Sequence, residues 1–155
     1  MYNAPTQAPI PTNVTEQINL PLIEADDEKI VRVLQNLLDN AIKFSPTGAT
    51  VTVGAHFFTP DHPLPEDVPL HPPLDSGEWL IFWTQDRGMG IPPAYHERIF
   101  EKFGQVRGRK VRGTGLGLTF CKLAVEAHGG QIWLESEEGV GSVFAFALPL
   151  GGGDG

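Results

Sequence analysis

The segment from 27 to 44, "DEKIVRVLQNLLDNAIKF", carries two stripes at helical spacing rather than one. Leu34, Leu37, Leu38 and Ala41 form an apolar face suited to a buried layer. Asn36, Asn40 and Lys43 recur too, and at 100° per residue they fall within an arc of about 60°. The two stripes diverge by more than about 90°. Asn is a poor helix former, so two amides one turn apart are an odd choice for solvation alone. A helix built this way presses one side on a sheet and offers the other to a ligand. Amide oxygens are hard ligands that Mg²⁺ accepts beside phosphates, and Lys is a point charge for phosphate. On these residues alone a solvated polar face stays an open alternative.

Before this helix, residues 1–17 are rich in Pro, Thr and Gln and read as a flexible lead-in, and "INLPLIEA" reads as a first strand. Asp26 or Asp27 is the expected N-cap, and "SPTG" the stop. "ATVTVGAHFF" alternates as a strand with Val51, Val53, Ala55 and Phe57 on one face, and "EWLIFWTQD" is apolar on both faces and therefore central. Between them, residues 59–77 hold six of the fourteen prolines and make a long hairpin excursion. "PAYHERIFEKF" predicts a short helix, 104–113 a basic loop, and "GLTFCKLAVEAHGG" a second long helix ending at a Gly pair. "QIWLES" and "GSVFAFALP" close as strands around "EEGVG", and 150–155 is a flexible tail. The order is that of a two-layer α/β sandwich, a mixed sheet covered on one face by about three helices.

Two glycine clusters complete the pattern. "DRGMGI" (86–91) follows the central strand; its glycines let the backbone approach a flat ligand, and its Asp can accept from an exocyclic amine. In "RGTGLGLTF", Gly113, Gly115 and Gly117 open the second long helix, where free amides suit phosphate. The spacing is neither a Rossmann fingerprint nor a P-loop.

Taken in order, "NLLDNAIKFS", "DRGMGI", "IFEKF" and "GTGLGL" resemble the N box, first glycine box, F box and second glycine box of the catalytic ATP-binding domain of sensor histidine kinases. The resemblance runs over about 18–149 and implies the Bergerat sandwich. It implies that Asn40 coordinates Mg²⁺, Asn36 lies near the phosphates and Lys43 contacts them. Phe44 would pack near the adenine and Asp86 accept from its amino group, with Gly88, Gly90 and Ile91 shaping that end. Thr114, Gly115, Leu116, Gly117 and Leu118, with Gly113, would close over the triphosphate, and Ser142 would lie near the base. Phe100 and Phe103 would anchor an ATP lid, 104–113, whose Arg107, Arg109, Lys110 and Arg112 would settle on polyphosphate. Gln105 stands where many relatives carry an Arg, and the proline-rich excursion is longer than the usual hairpin.

The implied activity is transfer of the γ-phosphoryl of Mg-ATP to a His on a dimerisation domain, followed by a response regulator. Two other readings compete: a gyrase-, chaperone- or mismatch-repair-type ATPase, and a non-catalytic nucleotide-sensing module. The ATPases place a Glu where this chain has Asn36, and an amide cannot be a general base. His96 lies in the F box and is a poor phosphoacceptor, while His128 reads as a helix C-terminal cation. His56, His62 and His71 lack metal-ligand spacing. The net charge of -8 argues against nucleic-acid affinity. The single Cys121 excludes an internal disulfide and reads as buried. No apolar run reaches membrane-spanning length and no signal peptide is legible. A cytoplasmic, monomeric piece of a longer kinase, without direct membrane contact, is the resulting expectation.

Overall fold

Asp26 starts the first helix. Its side chain accepts the Lys29 N–H at 3.2 Å, and Asp27 and Glu28 in the first turn and Lys43 in the last complement the helix dipole. This helix, α1, spans Asp27–Phe44 in a computed structural model that describes residues 25–101 and 116–150. The strands that follow are β1 (Thr52–Phe58) and β2 (Trp79–Asp86). A second helix, α2 (Leu116–Ala127), precedes β3 (Gln131–Glu137) and β4 (Gly141–Pro149). The sheet runs β1-β2-β4-β3, and all three pairings among the described residues are antiparallel. The strand expected before α1 and the mixed pairing it would bring lie outside the described residues.

Both helices cover one face of the sheet. Ile30, Val33 and Leu37 of α1 meet Cys121, Ala124 and Val125 of α2 over Leu134, Phe144 and Phe146. The apolar stripe of α1 is therefore Ile30–Val33–Leu37–Ala41, with Leu34 beside it. Leu38, expected on that stripe, is exposed, because one residue past Leu37 turns it 100° away from the sheet. The expected helix over 93–103 is also corrected. The backbone N–H groups there reach three residues back, Tyr95 to the Pro92 carbonyl at 2.9 Å and Glu101 to the Arg98 carbonyl at 3.0 Å, which makes two 3₁₀ turns, Pro93–Tyr95 and Arg98–Phe100. Phe100 is nevertheless buried, edge-on to Phe144 with ring centroids 6.2 Å apart.

The other face of the sheet is covered by the proline-rich excursion. Leu70 and Leu74 are buried, and Leu64 and Val68 pack with them on Ile81, Trp83, Val143, Ala145 and Ala147. Glu135 of β3 fastens this cover: its Oε2 accepts the His71 N–H at 2.8 Å, and its Oε1 lies 2.8 Å from His71 Nδ1. A chain too rich in proline for strand or helix thus supplies a second hydrophobic layer from irregular backbone. Strand β1 lies at the edge of the sheet, and its Val53 and Phe57 are exposed while Phe58 turns inward. His56 stacks on Trp83 at an interplanar angle of 9°, and burial holds its imidazole below the usual value against the opposing pull of Asp67.

The two helices run side by side in opposite directions. At one end the His128 Nε2 accepts the Asp26 N–H at 2.9 Å while its Nδ1 sits 2.7 Å from the Ala124 carbonyl. The ring of His128 thus ties the start of α1 to the end of α2. At the other end Asn36 faces Gly117.

Candidate active site

The site is assembled at the ends of three elements. Strand β2 delivers Asp86 at its last position, where it is only 3% exposed. Its Oδ1 accepts the Gly88 N–H at 2.9 Å and, from the cross-strand neighbour, the Ser142 N–H at 3.2 Å. Burial pushes the carboxyl above its ordinary value, and the two N–H donors oppose that shift without cancelling it. Both described hydrogen bonds go to Oδ1.

Around Asp86 the glycine turn is locked from two sides. A β-carbon on Gly88 would collide with the carbonyl oxygen of Phe44, the last residue of α1, so only glycine lets the turn lie against the helix end. Gly90 has φ +74° and backs onto the Glu137 carbonyl, again with no room for a side chain. Ser136 ties the ensemble together. Its Oγ accepts the Ile91 N–H at 2.7 Å, donates to the Gly141 carbonyl at 3.0 Å, and lies 2.8 Å from Ser142 Oγ. A hydroxyl has one proton, so Ser142 donates to Ser136 and keeps its own lone pairs for another donor. Arg87 N–H reaches Ser45 Oγ at 3.3 Å, joining the turn to the residue after α1. Neither Ser136 nor Ser45 stands out in the sequence; only the β3–β4 register brings Ser136 opposite Ser142.

From this end the polar stripe runs back along α1. Phe44 and Asn40 are half-buried, Lys43 is exposed, and Asn36 is half-buried against α2. A rise of 1.5 Å per residue sets Asn36 about 12 Å from Phe44 along the axis. At Asn36 the stripe meets the start of α2, since a β-carbon on Gly117 would lie 3.6 Å from Asn36 Oδ1. Asn36 and the charge of Arg32 also temper the Cys121 thiol, which burial pushes up to about 11. Leu118 is half-buried against the helix-face core, and Leu116 is the first residue of α2. Asn36, Asn40, Lys43, Phe44, Asp86, Gly88, Ile91, Gly117 and Ser142 are thus brought to one side of the helix layer and the adjoining strand ends. Phe103, Arg107, Arg109, Lys110, Arg112, Gly113, Thr114 and Gly115 lie outside the described residues. His96 is engaged elsewhere, its Nε2 2.7 Å from the Ile91 carbonyl.

A buried carboxylate at one end, two amides and a lysine in a row, and a glycine-opened helix start at the other match one family. The sequence profile of the family described as "Histidine kinase-, DNA gyrase B-, and HSP90-like ATPase" matches residues 25–152. The chain belongs to that ATPase family. Its similarity to sensor kinases places it on the histidine kinase branch, as a catalytic ATP-binding domain. It is 40% identical over 138 residues to the sensor histidine kinase WalK of Bacillus subtilis, a match that takes in 84% of this chain and 20% of WalK. It is also 40% identical over 133 residues to the adaptive-response sensory kinase SasA of Synechocystis, covering 85% of this chain and 30% of SasA. Among solved structures, the mycobacterial sensor histidine kinase MprB superposes with a TM-score of 0.61 at 29% identity, over 82% of this chain and 74% of that one. The catalytic domain of histidine kinase ThkA gives 0.61 at 31% identity, over 82% and 70%. The ATPase domain thus spans a fifth to a third of the length of the kinases WalK and SasA. No helix of the described residues is long and apolar enough to cross a membrane.

Proposed function

We infer that the domain binds Mg-ATP along α1 and donates its γ-phosphoryl group to a histidine on a separate dimerisation domain, upstream of a response regulator. The observation that carries this reading is the single row from Asp86 through Asn40 to Asn36, in a chain of the histidine kinase branch. Asp86, with its Oδ1 held by two N–H groups, presents a fixed acceptor to the adenine amino group, and Ser142 adds an acceptor beside it. Phe44 packs near the base, and Gly88 and Gly90 let the strand end approach it. Lys43 and Asn36 attend the phosphates, and Thr114–Leu118 with the cations of 107–112 close over them. The solved structure of the relative ShkA, in complex with AMPPNP, supports a nucleotide in this fold.

The residues present fit Mg²⁺ in one manner. Among the described residues no group of three His, Cys, Asp or Glu could cage a metal. Asn40 offers a single neutral oxygen, which suits an ion that keeps waters and shares phosphate oxygens. Bound there, Mg²⁺ would supply charge neutralisation. The rest is positioning: the β–γ bridging bond breaks, a P–N bond forms at the acceptor imidazole, and ADP leaves with the bridging oxygen. The ATPase reading is disfavoured by Asn36, whose amide cannot take a proton from water.

Titration calorimetry of Mg-ADP with the full chain tests the site, and radiolabel transfer tests the reaction. Saturable, metal-dependent binding with labelling only when a histidine-bearing dimerisation segment is supplied is the expected result. Steady phosphate release without that segment would favour the ATPase reading, and binding without labelling the nucleotide-sensing one.

A further inference from the structure

Arg32 continues the polar row of α1 by one turn. Residues 32, 36, 40 and 43 fall within an arc of about 80°, and Arg32 lies about 6 Å beyond Asn36 along the axis. That is the direction away from Asp86, the end opposite the adenine acceptor. Its guanidinium carbon sits 4.2 Å from the centroid of the Phe120 ring, on the second turn of α2. The side chain is exposed, yet among the described residues it pairs with no carboxylate. An aromatic face orients a guanidinium and leaves its five N–H donors at the ring's edge unspent. The planar fork of those donors suits the oxygens of a phosphoryl group.

We propose that Arg32, shelved on Phe120 at the α1–α2 seam, recognises the terminal phosphoryl group of the nucleotide and so distinguishes the triphosphate from the diphosphate. This rests on the ATP-binding reading above. A nucleotide laid along α1 with its base at Asp86 points its last phosphate toward residue 32. A diphosphate, one phosphoryl shorter, ends nearer Asn36. Arg32 is then a binding and positioning residue for the group to be transferred.

The test compares Mg-ADP with the Mg complex of AMPPNP, by calorimetry, for the full chain and for Arg32→Gln, Arg32→Lys and Phe120→Leu. The expected result is that Arg32→Gln weakens AMPPNP binding about tenfold while leaving ADP binding unchanged. Arg32→Lys should recover part of the loss, and Phe120→Leu should reproduce a smaller selective loss. Equal effects on both nucleotides, or no effect on either, would overturn the proposal while leaving nucleotide binding intact. Failure of the unsubstituted chain to bind either nucleotide would instead remove the ATP-binding reading, and this proposal with it. The ratio of the two affinities separates a phosphoryl contact from a merely structural role, since loss of helix packing moves both together.

Discussion

Asp86 Oδ1 accepts the backbone N–H of Ser142 at 3.2 Å, from the strand that pairs with its own. The carboxylate is thus held by the sheet itself and not by a loop. Burial disfavours its charge, and the N–H groups of Gly88 and Ser142 oppose that effect.

Asp86→Asn keeps the size of the side chain and an oxygen acceptor, while removing a charge that burial opposes. Thermal stability at neutral pH should hold or rise slightly. Affinity for Mg-ADP should fall at least tenfold, since a charge-assisted hydrogen bond is worth about 1.5–3 kcal/mol. Differential scanning calorimetry beside binding calorimetry checks both; a large drop in melting temperature would mean the charge is structural.

The raised value of Asp86 gives opposite signs for folding and binding. Between the ordinary 3.8 and the raised folded value, the folded chain holds a proton that the unfolded chain lacks. The Asp86 contribution to stability therefore falls as pH rises through that window and is greatest below it. On the proposed role of Asp86 as acceptor for the adenine amino group, binding needs the ionised form, so Mg-ADP affinity should fall as pH drops through the raised value, before an ordinary Asp would titrate. Affinity measured across acid pH, with Asp86→Asn as the control lacking the transition, decides this.

Gly88→Ala should damage folding and binding together. Its methyl group would meet backbone, the Phe44 carbonyl oxygen, which cannot swing aside as a side chain would. A loss of about 1–3 kcal/mol is expected from such overpacking, measured by denaturant unfolding. Weakened Mg-ADP binding should accompany it, because the displaced turn carries the N–H that fixes Asp86.

The cover formed by 59–77 should behave as core. Leu70→Ala should cost about 2–5 kcal/mol in denaturant unfolding, as for other buried leucines. Glu135→Gln should cost less, because His71 is exposed and the contact is solvent-screened. A Leu70→Ala variant as stable as the parent would mean the excursion merely rests on the sheet.

The helix and strand alternation was legible because α1, α2 and β1 carry a periodic pattern, while β2 and β4 are short apolar runs bounded by turn residues. The four boxes single out Asp86, Asn40 and Gly88 in the sequence. Four features stayed hidden for definite reasons. Leu38 was misplaced because a leucine pair satisfies helical spacing on either member, and only the neighbouring layers choose Leu37. The region 93–101 has helical composition, but its backbone closes in two separate turns of i→i+3 hydrogen bonds. The excursion gives no period at all, since its leucines reach the sheet through proline-set backbone that no helix or strand template describes. Ser136, Ser45 and Arg32 depend on register and inter-helix contact, neither of which is written in local sequence.

The sheet joins two hairpins, β1–β2 and β3–β4, along the single β2–β4 seam. The β3–β4 hairpin closes over residues 138–140 and β1–β2 over the excursion, whereas the seam brings together residues 86 and 142, separated by 56 positions. Loop closure makes such distant pairing the slow part of assembly. Asp86, the proposed acceptor for the base, sits on that seam, so on this reading neither hairpin alone carries the complete site. On the proposed reading, nucleotide binding therefore reports that the β2–β4 seam has closed.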